Sequence, residues 1–172
     1  MIEVLQLFEK AYFAELERKT QLNNALAFPL SVIFGGVALL GYASSYIEPE
    51  SPGGAIAASL LFLVTSSLAL FIKNVWAFSI HDDYEYIWFM DQTLEFRNEL
   101  RAYFDRQKHQ EKADDQFSER LIADLAKCAS VNARLNDQRA HHMYLCRIHS
   151  LFFILGCFLL SVVGAITEMS RS

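Results

Sequence analysis

The stretch ALAFPLSVIFGGVALLGYASSYI, residues 25–47, holds 23 consecutive positions without a charge. Wound as a helix it is roughly 35 Å long, enough to cross a hydrocarbon core of about 30 Å. Two further stretches read the same way. Residues 55–72 give 18 uncharged positions before Lys73, and the apolar character continues through Trp76, Phe78 and Ile80. Residues 148–167 give 20 more, between Arg147 and Glu168. The 53% of hydrophobic residues in 172 positions is therefore gathered in blocks. The expected fold class is an all-α membrane protein: three transmembrane helices, an N-terminal amphipathic helix and a helical cytoplasmic lobe.

The leader before the first span carries Glu3, Glu9, Glu15 and Glu17, unlike the short basic start of a secretory signal. Leu5, Phe8, Tyr12 and Leu16 recur every three or four positions, placing one apolar stripe on a helix over 1–24. Pro29 disfavours helical geometry at Phe28, so a bend is expected there. Residues 25–80 form a two-span hairpin, whose turn is Glu48-Pro49-Glu50-Ser51-Pro52-Gly53-Gly54. Residues 81–147 form the lobe. One of its helices is expected to start with Asp91 as N-cap and to show Phe96, Leu100 and Tyr103, ending in the polar run Gln107 to Lys112. The next begins near Asp115, carries Phe117, Leu121, Leu125, Cys128, Asn132 and Leu135 along one seam, and runs unbroken into the third span.

Basic residues are retained on the cytoplasmic side of a membrane. The turn at 48–54 has none, whereas the leader carries Lys10, Arg18 and Lys19 and residues 81–147 carry ten. The N-terminus and the lobe are thus expected inside, and the turn and C-terminus outside. A formal charge of −5 and the lack of a Lys/Arg cluster give no footprint for direct nucleic-acid binding. Cys128, Cys146 and Cys157 imply no disulfide framework.

Several groupings invite a chemical reading. His81 and Asp82 follow the second span while His142 and Cys146 share a helix face before the third, four residue types that ligate zinc. They lack a paired ligand spacing, and histidines at a membrane interface commonly serve as amphipaths, so no metal and no cofactor is assigned. Asp82 and Asp83 are adjacent, so they cannot share the helix face that a lipid-active Mg²⁺ enzyme would need. No catalytic residues are assigned, and the chain is read as not an enzyme. Lys73, the one charge in 55–80, is close enough to the span's end to snorkel. Gly156, Ser161 and Gly164, with Gly35, Gly36 and Gly41, let membrane helices approach closely, and the row Asn132, Asn136 and Arg139 can fix the register of a packed seam. These six (Gly156, Ser161, Gly164, Asn132, Asn136 and Arg139) are the candidate packing and oligomer residues.

The order of parts resembles the SLATT-like class of small bacterial membrane proteins and the transmembrane effectors of some retron systems. The resemblance rests on Glu17-Arg18-Lys19 with Leu22-Asn23 before a Pro-containing first span, and on Tyr84-Glu85-Tyr86-Ile87. It continues with Glu95, Arg97, Leu100 and Tyr103, then Ala129, Asn132, Asn136 and Arg139. Trp88 stands where that class has proline, so the local loop conformation is not carried over. The resemblance implies a homo-oligomeric effector in the bacterial inner membrane, acting on the lipid bilayer when a cytoplasmic sensor protein triggers it in anti-phage defence. The alternative is an anchor or scaffold that tethers a cytoplasmic partner through the same lobe, with a lipid-active or metal-dependent enzyme at the inner face as a third reading.

Overall fold

A computed structural model describes residues 2–44, 52–80, 84–87, 90–105 and 110–169. Five helices follow in order: α1 (Ile2–Ala25), α2 (Ala27–Ser44), α3 (Pro52–Ile80), α4 (Met90–Asp105) and α5 (Gln110–Met169). There is no strand among the described residues. Three helical stretches, within 3–43, 56–80 and 112–169, are long and apolar enough to cross a membrane. The all-α class and the three spans expected from the sequence are therefore present.

The boundaries differ in instructive ways. The helix breaks at Leu26, ahead of the bend expected at Phe28. Pro29 becomes the third residue of α2, in a first turn whose N–H groups have no partner inside the helix, so its missing N–H costs nothing there. Leu26 N–H donates to Asn23 O and Leu30 N–H to Leu26 O, both at 3.3 Å, which carries the chain across the break. Pro52, expected in the hairpin turn, is the first residue of α3, a position its fixed φ favours; residues 45–51 lie outside the described residues. Helix α4 begins at Met90, so Asp91 belongs to its first turn and is not the N-cap. Helix α5 begins at Gln110, five residues before the expected start, and absorbs part of the polar run.

The chain divides into two compact units, one of residues 1–20 and 82–137 and one of 21–81 and 138–172. In the first, the stripe Leu5, Phe8, Tyr12 and Leu16 packs with Ile87 and with Leu121, Leu125, Cys128 and Ala129 of α5, as the periodicities of both helices predict. Helix α4 turns Phe104 inward (7% exposed) and Tyr103 outward (57% exposed), reversing the expectation for Tyr103. Phe96, Leu100 and Phe104 are each four apart, which is the tighter row. Asp114 at the start of α5 accepts from Arg101 (3.1 and 3.2 Å) and Arg97 (3.3 Å), tying α4 to α5.

The second unit is built on Ile33, Val64, Phe71, Phe153, Cys157 and Leu160 from α2, α3 and α5. All three cysteines are buried and free. Two glycines set the closest approaches. A Cβ on Gly36 would overlap the Phe153 ring, and one on Gly156 would lie 2.7 Å from Val64 Cγ2. Gly156 is thus used inside the chain. Gly35 and Gly41 have nothing within 4 Å of the same position.

Overpacking a close contact typically costs 1–3 kcal/mol. Gly36→Leu and Gly156→Leu are therefore expected to lower stability by about 2 kcal/mol in detergent, and Gly35→Leu by under about 0.5 kcal/mol, measured by thermal unfolding. Equal effects at all three would show that the α2–α5 and α3–α5 contacts are not close-packed.

Candidate functional site

Between α3 and α4 the residues Tyr84-Glu85-Tyr86-Ile87 belong to no helix or strand, so no ladder satisfies their backbone. Side chains from α1 and α5 supply the partners. Asn132 reads the backbone of Glu85 twice: its Oδ1 accepts from Glu85 N–H at 3.0 Å and its Nδ2 donates to Glu85 O at 2.9 Å. One turn later on α5, Asn136 accepts a short hydrogen bond from the Tyr84 hydroxyl. Asn136 Nδ2 donates to Glu15 O and Oε2 of α1, each at 2.8 Å. Both asparagines are fully buried. An Asn amide has a donor end and an acceptor end, so at four-residue spacing on α5 the two can face a peptide unit and a phenol in turn.

The outer side of the segment is held by charge. Lys127 Nζ lies 3.0 Å from Glu85 Oε2. Lys19 Nζ donates to the Tyr86 hydroxyl at 3.1 Å and sits over the Tyr84 ring, 4.2 Å from its centroid. The Tyr12 hydroxyl accepts from Ile87 N–H at 3.4 Å, and burial raises the Tyr12 phenol above its usual pKa. Arg18 donates to Asp137 at 2.7 Å, and that bond holds its guanidinium even more firmly charged than usual. Every residue of 84–87 is fastened to α1 or α5. We call this segment the strap.

A second polar set lies in the other unit. Arg139 is buried, donates to Asn23 Oδ1 at 2.6 Å and stacks on Phe78 at 4.2 Å. Asn74 of α3 is buried; it donates to Leu70 O at 2.8 Å and meets His142 Nδ1 at 3.1 Å through its Oδ1, which makes the His142 Nδ1–H the donor.

The sequence-selected residues separate on this frame. Asn132 and Asn136 form a buried polar row as expected, but their partners are in the same chain. Arg139 finds its partners in the second unit. Ser161 donates to Cys157 O within its own helix at 3.0 Å, and Gly164 is buried. Of the four metal candidates, His81 and Asp82 lie outside the described residues. His142 is engaged by Asn74, and Cys146 is wholly enclosed in the apolar core. Among the described residues no group of three or more His, Cys, Asp and Glu is arranged to hold a metal. Lys73 is exposed on α3, on the face that also shows Trp76 and Ile80, which suits a snorkelling side chain. The sequence reading missed the polar roles of Tyr12, Lys127 and Asn74, and marked Lys19 only through the resemblance. Asn74 carried a signal, being an amide in an apolar helix; the others looked like ordinary stripe or surface residues.

The fold and these networks define an all-helical bundle with three helices of membrane-crossing length and apolarity. No family model, curated protein or solved structure matches the chain.

Two outcomes follow. Asn132→Leu would leave the partly buried N–H and C=O of Glu85 without their partner, each worth up to about 1–3 kcal/mol. We expect a loss of roughly 2–4 kcal/mol in denaturant unfolding of the full chain; unchanged or increased stability would mean that Asn132 sets register and does not hold the strap. Asp114 is held below the ordinary carboxyl range, chiefly by the hydrogen bond from Arg101 and further by Arg97. A carboxyl depressed in the folded state adds stability above its unfolded pKa of about 3.9 and loses it as pH falls through the folded value. Amide protection of α4 should therefore weaken below about pH 4, and Asp114→Asn should remove that step. An acid step that survives in Asp114→Asn would assign it to another carboxyl.

Proposed function

We propose that this chain is an oligomeric effector of the bacterial inner membrane that permeabilises the bilayer when a cytoplasmic sensor protein is triggered during phage infection. The observation that carries the reading is a convergence. The residues on which the SLATT-like and retron-effector resemblance rests are scattered from Glu17 to Arg139, yet eight of them meet one another. Lys19 holds Tyr84 and Tyr86, Asn132 and Asn136 hold Glu85 and Tyr84, and Asn23 holds Arg139. A chance likeness of composition gives no reason for these positions to touch.

In this reading the N-terminus and residues 81–147 face the cytoplasm, and 45–51 and the C-terminus face outward, following the placement of Lys and Arg. The three spans present Phe34, Phe62 and Phe158 outward, each more than half exposed, to lipid or to other copies. Assembly in lipid depends on close packing, since separated apolar helices suffer no hydrophobic penalty there. With Gly36 and Gly156 used within the chain and Gly164 buried, Gly35 and Gly41 are the positions open to another copy.

Triggered or overproduced wild-type protein should collapse the membrane potential and admit a dye such as propidium. Gly35→Leu should reduce dye entry to background while the protein still fractionates with membranes. If the wild type leaves potential and dye exclusion intact in both conditions, the effector reading falls and the anchor reading replaces it.

A further inference from the structure

The strap is bonded in an unusual way for a segment that joins two helices. Its backbone groups at Glu85 and Ile87 and its side chains at Tyr84, Glu85 and Tyr86 all find their polar partners on α1 and α5, elements remote from it in sequence. Those partners are amides, a phenol and two ammonium groups. Water can replace each of them at small net cost, because folding exchanges one hydrogen bond for another. The charged contacts are on the surface: Lys127 is 67% exposed and Glu85 38%. Surface ion pairs of this kind are weak and screened by salt. Tyr12, Leu125, Cys128 and Ala129 pack between α1 and α5 themselves; the strap adds Ile87 to that cluster and buries the Tyr84 ring, which is 7% exposed. Release therefore uncovers Tyr84, Asn132 and Asn136 but leaves Tyr12 packed on Leu125, Cys128 and Ala129.

We infer that residues 84–87 are a releasable latch: they open as a unit while α1 and α5 stay packed, and their closure on Asn132, Asn136, Lys19 and Lys127 holds the chain in its resting state. Opening uncovers the amides of Asn132 and Asn136 on α5. The regulatory part rests on the effector reading above; the opening itself does not.

The test follows the amides of Glu85 and Ile87 by hydrogen exchange in full-length protein in detergent, beside dye release from vesicles carrying the same protein. In the wild type these amides should exchange through a local opening, roughly tenfold to a hundredfold faster than the α5 amides near Leu125. Raised salt should widen that gap, since it screens the Lys127–Glu85 pair. Joining Glu85 to Lys127 with a zero-length carbodiimide should slow strap exchange and suppress triggered dye release. Lys127→Ala removes only an exposed partner; it should speed strap exchange, leave α5 unchanged and raise untriggered release. Strap amides that exchange only with global unfolding would overturn the latch. Faster strap opening in Lys127→Ala with untriggered release unchanged, in a protein whose wild type does release dye when triggered, would overturn its regulatory role. A wild type that never releases dye would sink the effector reading and leave the exchange result to decide the latch alone.

Discussion

The bidentate grip of the Asn132 amide on the Glu85 backbone is the constraint that seats the strap in the first unit. A segment outside helix and strand has peptide groups that no ladder will satisfy, and burying them unpaired would cost about as much as a sizeable core contact. Asn132 solves this with one side chain that presents donor and acceptor together. Asn136, one turn along, does the same for Tyr84 and Glu15, so α1, the strap and α5 are linked by two adjacent amides. Apolar substitutes of similar size would fill the volume and leave the peptide stranded.

The second unit follows a different logic. Its contacts are set by how closely backbones can come, with Gly36 admitting Phe153 and Gly156 admitting Val64. Polar groups appear there as a local set, Asn23, Asn74, Arg139 and His142, each meeting another or an aromatic ring. In an apolar medium such groups must find partners inside the bundle. Helix α5 supplies residues to both regimes, hydrogen-bonding amides in its first half and close-packing small residues in its second.

Much of the fold was legible. Runs without charge gave the three spans, and the stripes Leu5–Phe8–Tyr12–Leu16 and Leu121–Leu125–Cys128 gave the two packing helices, because helical period is a direct readout of which side is buried. The polar row at Asn132 and Asn136 was visible too, but its partners were not. A buried amide announces only that something must satisfy it, and nothing local distinguishes another copy from residue 85 of the same chain. Helix ends were read less well. Asp91 has the chemistry of an N-cap, yet α4 starts at Met90, and the break that Pro29 announces falls at Leu26 and not at Phe28. Lys127 was invisible as a contributor and Lys19 was marked only by the resemblance, since a lysine that binds a phenol or a strap carboxylate looks in sequence like any surface lysine.

The separation in sequence between α1, the strap and α5 also has a temporal meaning. The chain is made from its N-terminus, so the apolar stripe of α1 and the peptide groups of the strap exist before the helix that covers them. Until residues 121–136 emerge, Leu5, Phe8 and Tyr12 have only each other, lipid or a chaperone for company, and Glu85 has only water. Synthesis that stalls before that point leaves two apolar spans beside an uncovered stripe. The cell's quality-control machinery would meet such a fragment as a sticky, membrane-bound intermediate, and the last helix to be made is the one that ends its exposure.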